Sequence, residues 1–330
     1  VLFSKTLGIY SLALGYLLGS FFSFIIQLPI LKKYNFKLYV DLKNKDVILF
    51  IRLAFPLLLT GIIFRSNVVF ERVIASGLEQ GSVSYLGYST QIITVLGTLI
   101  ASGIVTSTYP ILSKLWSNNN ITEFSKMFLQ TLRIILLISI PISISLIFFG
   151  EQFVMYIFER GAFNSNDTLL VSKALVWGIG AFIFQGLGGV VAKILYISKH
   201  TIISSVISVL EILIYVCLGF LLSRKLSFVG LAMALSISSG FNIIVSLYFI
   251  NKKVVKIDFI PLCVELVKIL INSVISILVV YYIFYCVYSS NSFLSLIISF
   301  IFGLLFFLGF GIFIKIQDVL KIKSKIIGSK

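Results

Sequence analysis

Charge is what this sequence has least of. Only 12% of its 330 residues are Asp, Glu, Lys or Arg, while 59% are hydrophobic and the mean hydropathy is +1.10. Soluble domains carry roughly twice that share of charge, so the composition excludes an ordinary water-borne enzyme and points to a membrane protein. Histidine and cysteine are nearly missing as well. His200 is the one histidine; it cannot build a multi-histidine metal site, and a Ser-His-Asp triad would have to draw on it from a short polar connection. Cys217, Cys263 and Cys286 lie within or at the edges of apolar runs and match no disulfide or zinc pattern. A glycine-rich phosphate loop, paired catalytic carboxylates and an Asp-rich metal motif are also missing from the sequence. Neither an enzyme, a metal centre nor a cofactor site is therefore expected.

What the sequence does have is long apolar runs. Nine of them, roughly 7–30, 51–76, 85–112, 129–149, 168–197, 202–222, 227–250, 262–288 and 292–315, reach the ~20 residues that a transmembrane helix needs. The expected fold is an all-α polytopic membrane bundle of about nine spans, with the two ends on opposite sides. The basic excess, 27 Lys and Arg against 12 Asp and Glu, is scattered among short connections and makes no single nucleic-acid surface. It marks orientation instead. Eighteen of the 27 fall in one set of connections and four, Lys5, Arg160, Arg224 and Lys225, in the other. Because cytoplasmic loops retain Lys and Arg, Val1 is expected outside and Lys330 in the cytoplasm. The lysine-rich linker Leu31–Asp46 and the tail Lys315–Lys330 either lie on an anionic membrane surface or are plain solvated segments.

The remaining five basic residues, Arg65, Arg72, Lys173, Lys193 and Lys268, sit inside apolar runs. A charge at membrane depth costs roughly 2.5–3.5 kcal/mol on the insertion scale, so it faces a bundle interior or a watery cavity. In the second run Arg65 and Arg72 are seven residues apart on one helix face, a track suited to an anionic group. Glu71 beside them either contacts that cavity or pairs with a basic residue on a neighbouring helix. The third run is uncharged but sets Ser84, Tyr88, Gln91, Thr94, Thr98, Ser102 and Thr106 at steps of three or four, one polar stripe for a hydrated path or for helix packing. Arg65, Arg72, Gln91, Tyr88 and Thr98 are the candidate substrate-binding residues. Glu71, Glu211 and Asn242 are the candidates for sodium or proton coupling. Lys173, Lys193 and Lys268 either snorkel or neutralise those carboxylates.

Three motifs carry a resemblance. FERGAFNSNDT (Phe158–Thr168), NVVFERVIAS (Asn67–Ser76) followed by GSVSYLGYS, and YPILSK (Tyr109–Lys114) resemble, in this order and spacing, the MurJ/MviN lipid II flippases of the MOP exporter superfamily. That family has fourteen helices, and this chain resembles the last nine. The resemblance implies a partial MOP-type transporter in a bacterial cytoplasmic membrane. Residues 1–30 would be the last helix of the N-terminal lobe, 31–50 a cytoplasmic linker, 51–250 a six-helix C-terminal lobe, and 251–330 an extra helix pair with a basic tail. The second and third helices would line a central cavity, and the last pair would help form a groove for a lipid tail. The implied cargo is an undecaprenyl-diphosphate-linked glycan, lipid II or a relative such as an O-antigen or capsule precursor, with membrane lipids as surroundings. A structural partner of wall-synthesis machinery is the non-transport alternative. An N-terminal truncation is expected too, with the preceding helices completing the cavity. One departure stands out: where the family commonly has Ala-Asp-Arg after the tyrosine, this chain has Ser89, Thr90 and Gln91, so an amide replaces a charge.

Overall fold

The computed structural model describes residues 8, 10–33, 44–287 and 293–320. Among them there are nine α-helices and no strand: α1 (Tyr10–Lys33), α2 (Lys45–Ser76), α3 (Ser82–Ser117), α4 (Ile121–Phe158), α5 (Ser165–Ile197), α6 (Thr201–Leu226), α7 (Phe228–Lys253), α8 (Ile260–Tyr282) and α9 (Phe293–Phe313). Each overlaps one of the nine apolar runs. Six of them, α3 to α8, are long and apolar enough to cross a membrane among the described residues; α1 and α9 contain the shorter apolar segments Ala13–Ile26 and Ile297–Phe313. The all-α membrane bundle is thus the observed fold class. The central parts of the basic linker and tail, residues 34–43 and 321–330, lie outside the described residues, and so do the expectations made for them.

The chain divides into two units, residues 1–52 and 53–330. In the first, α1 is apolar on all sides, with Tyr16 and Phe22 exposed and Pro29 one turn from its end. The second unit holds the core. Its central element is α5, which packs against α3, α4 and α7 and buries Val171, Leu175, Phe182, Val190 and Ile194. Around this axis α6 pairs with α7, α4 carries α8, and α8 carries α9. Small residues permit the close crossings. A Cβ on Gly180 would lie 3.0 Å from the Ser236 side chain, and the Ser236 hydroxyl donates to the Trp177 carbonyl at 2.8 Å, so α5 and α7 meet almost backbone to backbone.

Several helices outrun their apolar runs, α4 most of all. α4 was expected over 129–149 but runs from Ile121 to Phe158, because its polar end turns stay helical where the chain leaves hydrocarbon. Asn120 caps its start by accepting the Glu123 amide, and a kink with φ −118° and ψ 16° falls at Phe149, whose ring packs on Phe284 and Phe300. α2 begins at Lys45, inside the segment expected as linker.

Where α9 ends, the chain folds back. Lys315 adopts a left-handed φ of 59°, the Ile316 amide donates to Gly311, and Ile316 and Val319 bury themselves in the core. Arg133 of α4 then donates from Nε to Asp318 at 2.7 Å, with Gln317 as a further acceptor. Glu265 of α8, also buried, accepts from Lys268 at 3.0 Å and from the Gln317 amide at 3.3 Å. Lys268 therefore neutralises a carboxylate three residues away on its own helix, and not Glu71 or Glu211.

Candidate functional site

The polar stripe of α3 is a genuine face. Ser84, Tyr88, Gln91, Thr94, Thr98, Ser102 and Thr106 are all exposed, whereas Leu86, Ile92, Ile93, Val105 and Leu112 are buried in the core around them. Its chemistry is more specific than the sequence suggests. Thr98 donates to the Val95 carbonyl at 3.0 Å, Ser102 to Leu99 and Thr106 to Ser102, so these hydroxyls spend their protons on their own helix. What they present outward is lone pairs. Gln91 is the side chain on this face that brings both amide donors and a carbonyl acceptor.

Tyr88 is only partly free. Its ring meets Phe158 at a tilt, with centroids 4.9 Å apart, and Phe163 edge-on at 5.2 Å, both from the FERGAFNSNDT loop. That loop is anchored chemically as well. Asn164 and Asp167 form a reciprocal capping box at the start of α5, Thr168 donates to Glu159 at 2.7 Å, and the Tyr85 hydroxyl donates to Asp167 at 3.2 Å. The loop thus holds the first turns of α3 against the α4–α5 connection.

Arg72 is exposed near the end of α2, and the side chain of Arg65 lies outside the described residues. Among the described residues, half-buried Glu71 pairs with no base on another helix. Its carboxylate accepts from the hydroxyl of Tyr215, a fully buried side chain of α6, at 3.2 Å. Asn242 of α7 donates to Glu211 of α6 at 2.7 Å, and Ser246 donates to the Asn242 carbonyl oxygen at 3.3 Å. Two of the three coupling candidates are therefore brought into contact. Glu211 and Tyr215 are four residues apart on one face of α6, so α2, α6 and α7 contribute to one polar seam. Sequence reasoning missed Tyr215 because a tyrosine in an apolar run carries no charge to betray it.

An apolar cavity of about 580 Å³ opens between α4, α8 and α9. Pro141, Phe149, Ile277, Phe300 and Leu304 line it, and Leu96 reaches it from α3. The helix with the polar face thus also helps to wall the apolar space.

An all-helical bundle around a central helix, with six helices among the described residues long and apolar enough to cross a membrane, defines a multi-pass membrane fold. It is shared with a MOP superfamily transporter from Pyrococcus furiosus, at a TM-score of 0.54 over 82% of this chain and 66% of that one, with 13% identity. The family is narrower. Residues 1–301 match the family model described as "Lipid II flippase MurJ", and the chain belongs to that family. A solved structure of "Lipid II flippase MurJ, inward closed conformation" superposes with a TM-score of 0.73 and 25% identity, covering 97% of this chain and 64% of its own. A "Probable lipid II flippase MurJ" of Buchnera aphidicola from Schizaphis graminum is 27% identical over 240 residues, 71% of this chain and 46% of that protein. The chain thus spans about half the length of the curated relatives it matches.

Proposed function

We propose that this chain forms the C-terminal part of a flippase that carries a lipid-linked peptidoglycan precursor, lipid II, from the inner to the outer leaflet by alternating access. The observation that carries the reading is an exposed polar face on α3 beside an apolar cavity that the same helix reaches through Leu96. An amphiphile with a glycan head and a long hydrocarbon tail needs both at once. The lone pairs along α3 suit sugar hydroxyls and amides, Gln91 and Arg72 supply donors, and the cavity beside α8 and α9 suits the tail. The facing wall of the head cavity comes, in this reading, from helices that this chain does not contain, which agrees with its share of the relatives' length.

The lysine bias puts the Val1 end outside and the Lys330 end in the cytoplasm. With that orientation, outward movement of a dianionic head is favoured by ~2.3 kcal/mol per charge for each 100 mV of inside-negative potential. The seam of Glu71, Tyr215, Glu211 and Asn242 is the proposed seat of sodium or proton coupling. No chemical step is involved, so the protein acts as a transporter and not as an enzyme.

The test is complementation. In flippase-depleted bacteria, the full-length protein should restore lipid II to the outer leaflet, as read by an externally added lipid II-cleaving or lipid II-binding probe. Replacing Gln91 and Arg72 together by Leu and Ala should abolish that signal. Because an amide stands where the family commonly has arginine, a flippase for another undecaprenyl-linked glycan is the second reading. Rescue of capsule or O-antigen display without rescue of lipid II exposure would select it.

A further inference from the structure

The polar face of α3 ends at a cation supplied by another helix. Gln91, Thr98, Ser102 and Tyr109 lie along one line of α3; from Gln91 to Tyr109 is eighteen residues, five whole turns and about 27 Å along the axis. Over the Tyr109 ring stands Nζ of Lys193 from α5, 5.3 Å from the centroid, and the Tyr196 ring, on the next turn, meets the same Nζ at 5.6 Å. Lys193 is half-buried. The ion pairs among the described residues engage Lys126, Arg133 and Lys268, each with its own carboxylate, and leave Lys193 to its two rings.

That environment has a chemical consequence. Aromatic faces hold an ammonium in place through their quadrupoles without cancelling its charge, so its N–H donors stay available to an anion. The rest of the face offers the opposite chemistry. Thr98, Ser102 and Thr106 give their protons to their own helix and present lone pairs, which accept from sugars but oppose phosphate oxygens. A phosphate-bearing glycan laid along α3 is therefore sorted by polarity, its sugars over the hydroxyl stripe and its phosphates at a cation.

We propose that Lys193, framed by Tyr109 and Tyr196, is the entry station that first holds the diphosphate of the lipid-linked glycan, with the sugars extending along α3 toward Gln91. This rests on the lipid-linked cargo proposed above, and in the orientation given by the lysines the station lies at the cytoplasmic end. The site differs from Arg72, which sits near the other end of the membrane on α2. The lysine here does the work that a charge at position 91 would do elsewhere on the face, but at the mouth and not in the middle of the path.

The experiment uses the purified full-length flippase in detergent, with lipid II as probe at low and high salt and phosphatidylglycerol as competitor. Lys193→Met and Lys193→Gln should each weaken lipid II binding about tenfold or more and flatten its salt dependence. Lys193→Arg should stay within about threefold of the wild type, because it keeps the charge and stacks on the same rings. Melting temperatures of all three, expected near the wild-type value, separate a lost contact from a lost fold. Lipid II binding by both neutral variants at wild-type strength would overturn the station while leaving the flippase reading intact. Equal displacement of lipid II by phosphatidylglycerol would overturn it too, making Lys193 a general lipid anchor. A wild-type protein that binds no lipid II would sink the flippase reading itself, and the station with it.

Discussion

Single residues at membrane depth matter here through their partners. Tyr215 is buried and its hydroxyl meets Glu71 across the α2–α6 contact, so Tyr215→Phe keeps the ring and strands the carboxylate. We expect a loss of about 1–3 kcal/mol in stability, read as a lower melting temperature in detergent, largely reversed when Tyr215→Phe is combined with Glu71→Gln. The Arg133–Asp318 pair behaves differently, since both side chains are largely buried and the pair is one of the ties between α4 and the segment after α9. Arg133→Ala leaves a buried carboxylate and should destabilise by about 3 kcal/mol, whereas replacing Arg133 by Met and Asp318 by Leu together should be nearly neutral. Equal melting losses for the single and double variants would contradict this. At this scale the sequence was half legible. The unusual charges stood out at once, because hydrocarbon makes each one costly, but their partners did not. Glu211 and Asn242 are 31 residues apart and Arg133 and Asp318 are 185 apart, distances that no periodicity bridges.

At the scale of elements, what organises the bundle is α5 and the loop that starts it. Asn164 and Asp167 satisfy free amides at its first turn, and Tyr85, Tyr88, Phe158 and Phe163 fasten the same loop to α3. Asn164→Ala should cost about 1 kcal/mol, visible as a lower melting point, and a variant that melts like the wild type would mean the aromatic contacts alone hold the turn. The α5–α7 crossing is more sensitive. Gly180→Val forces atoms into the Ser236 side chain and should cost about 1–3 kcal/mol; Gly180→Ala should cost less, since the serine has only tenths of an ångström to yield. The element boundaries were legible where apolar runs end at loops, as in α5 and α7. They were not legible in α4, whose end turns are polar enough to look like connection yet remain helical beyond the hydrocarbon.

For the whole molecule, the proposed function implies a division of labour between a polar face and an apolar cavity. If the cavity of about 580 Å³ holds a hydrocarbon tail, bulk placed in its wall should act on long lipids alone. Leu304→Trp is expected to weaken binding of lipid II with its full polyprenyl chain while leaving a short-chain analogue and the melting temperature near wild type. Equal losses for both lengths would place the tail elsewhere. The family membership over residues 1–301 and the fold shared with the solved flippase set the frame for these experiments.

The sequence by itself determined the solvent, the helical segments seen among the described residues and the family. Those properties are local: hydropathy over twenty residues, hydrophobic period and short motifs are each written in contiguous chain. Only the tertiary structure decided which polar groups meet. It paired Glu71 with a tyrosine instead of a base, gave Lys268 to Glu265, joined Glu211 to Asn242, and set Lys193 at the end of the α3 stripe. The physical reason is that a bilayer penalises every unsatisfied polar group wherever it lies, so composition reveals that such groups must find partners, while helix rotation and crossing alone choose them.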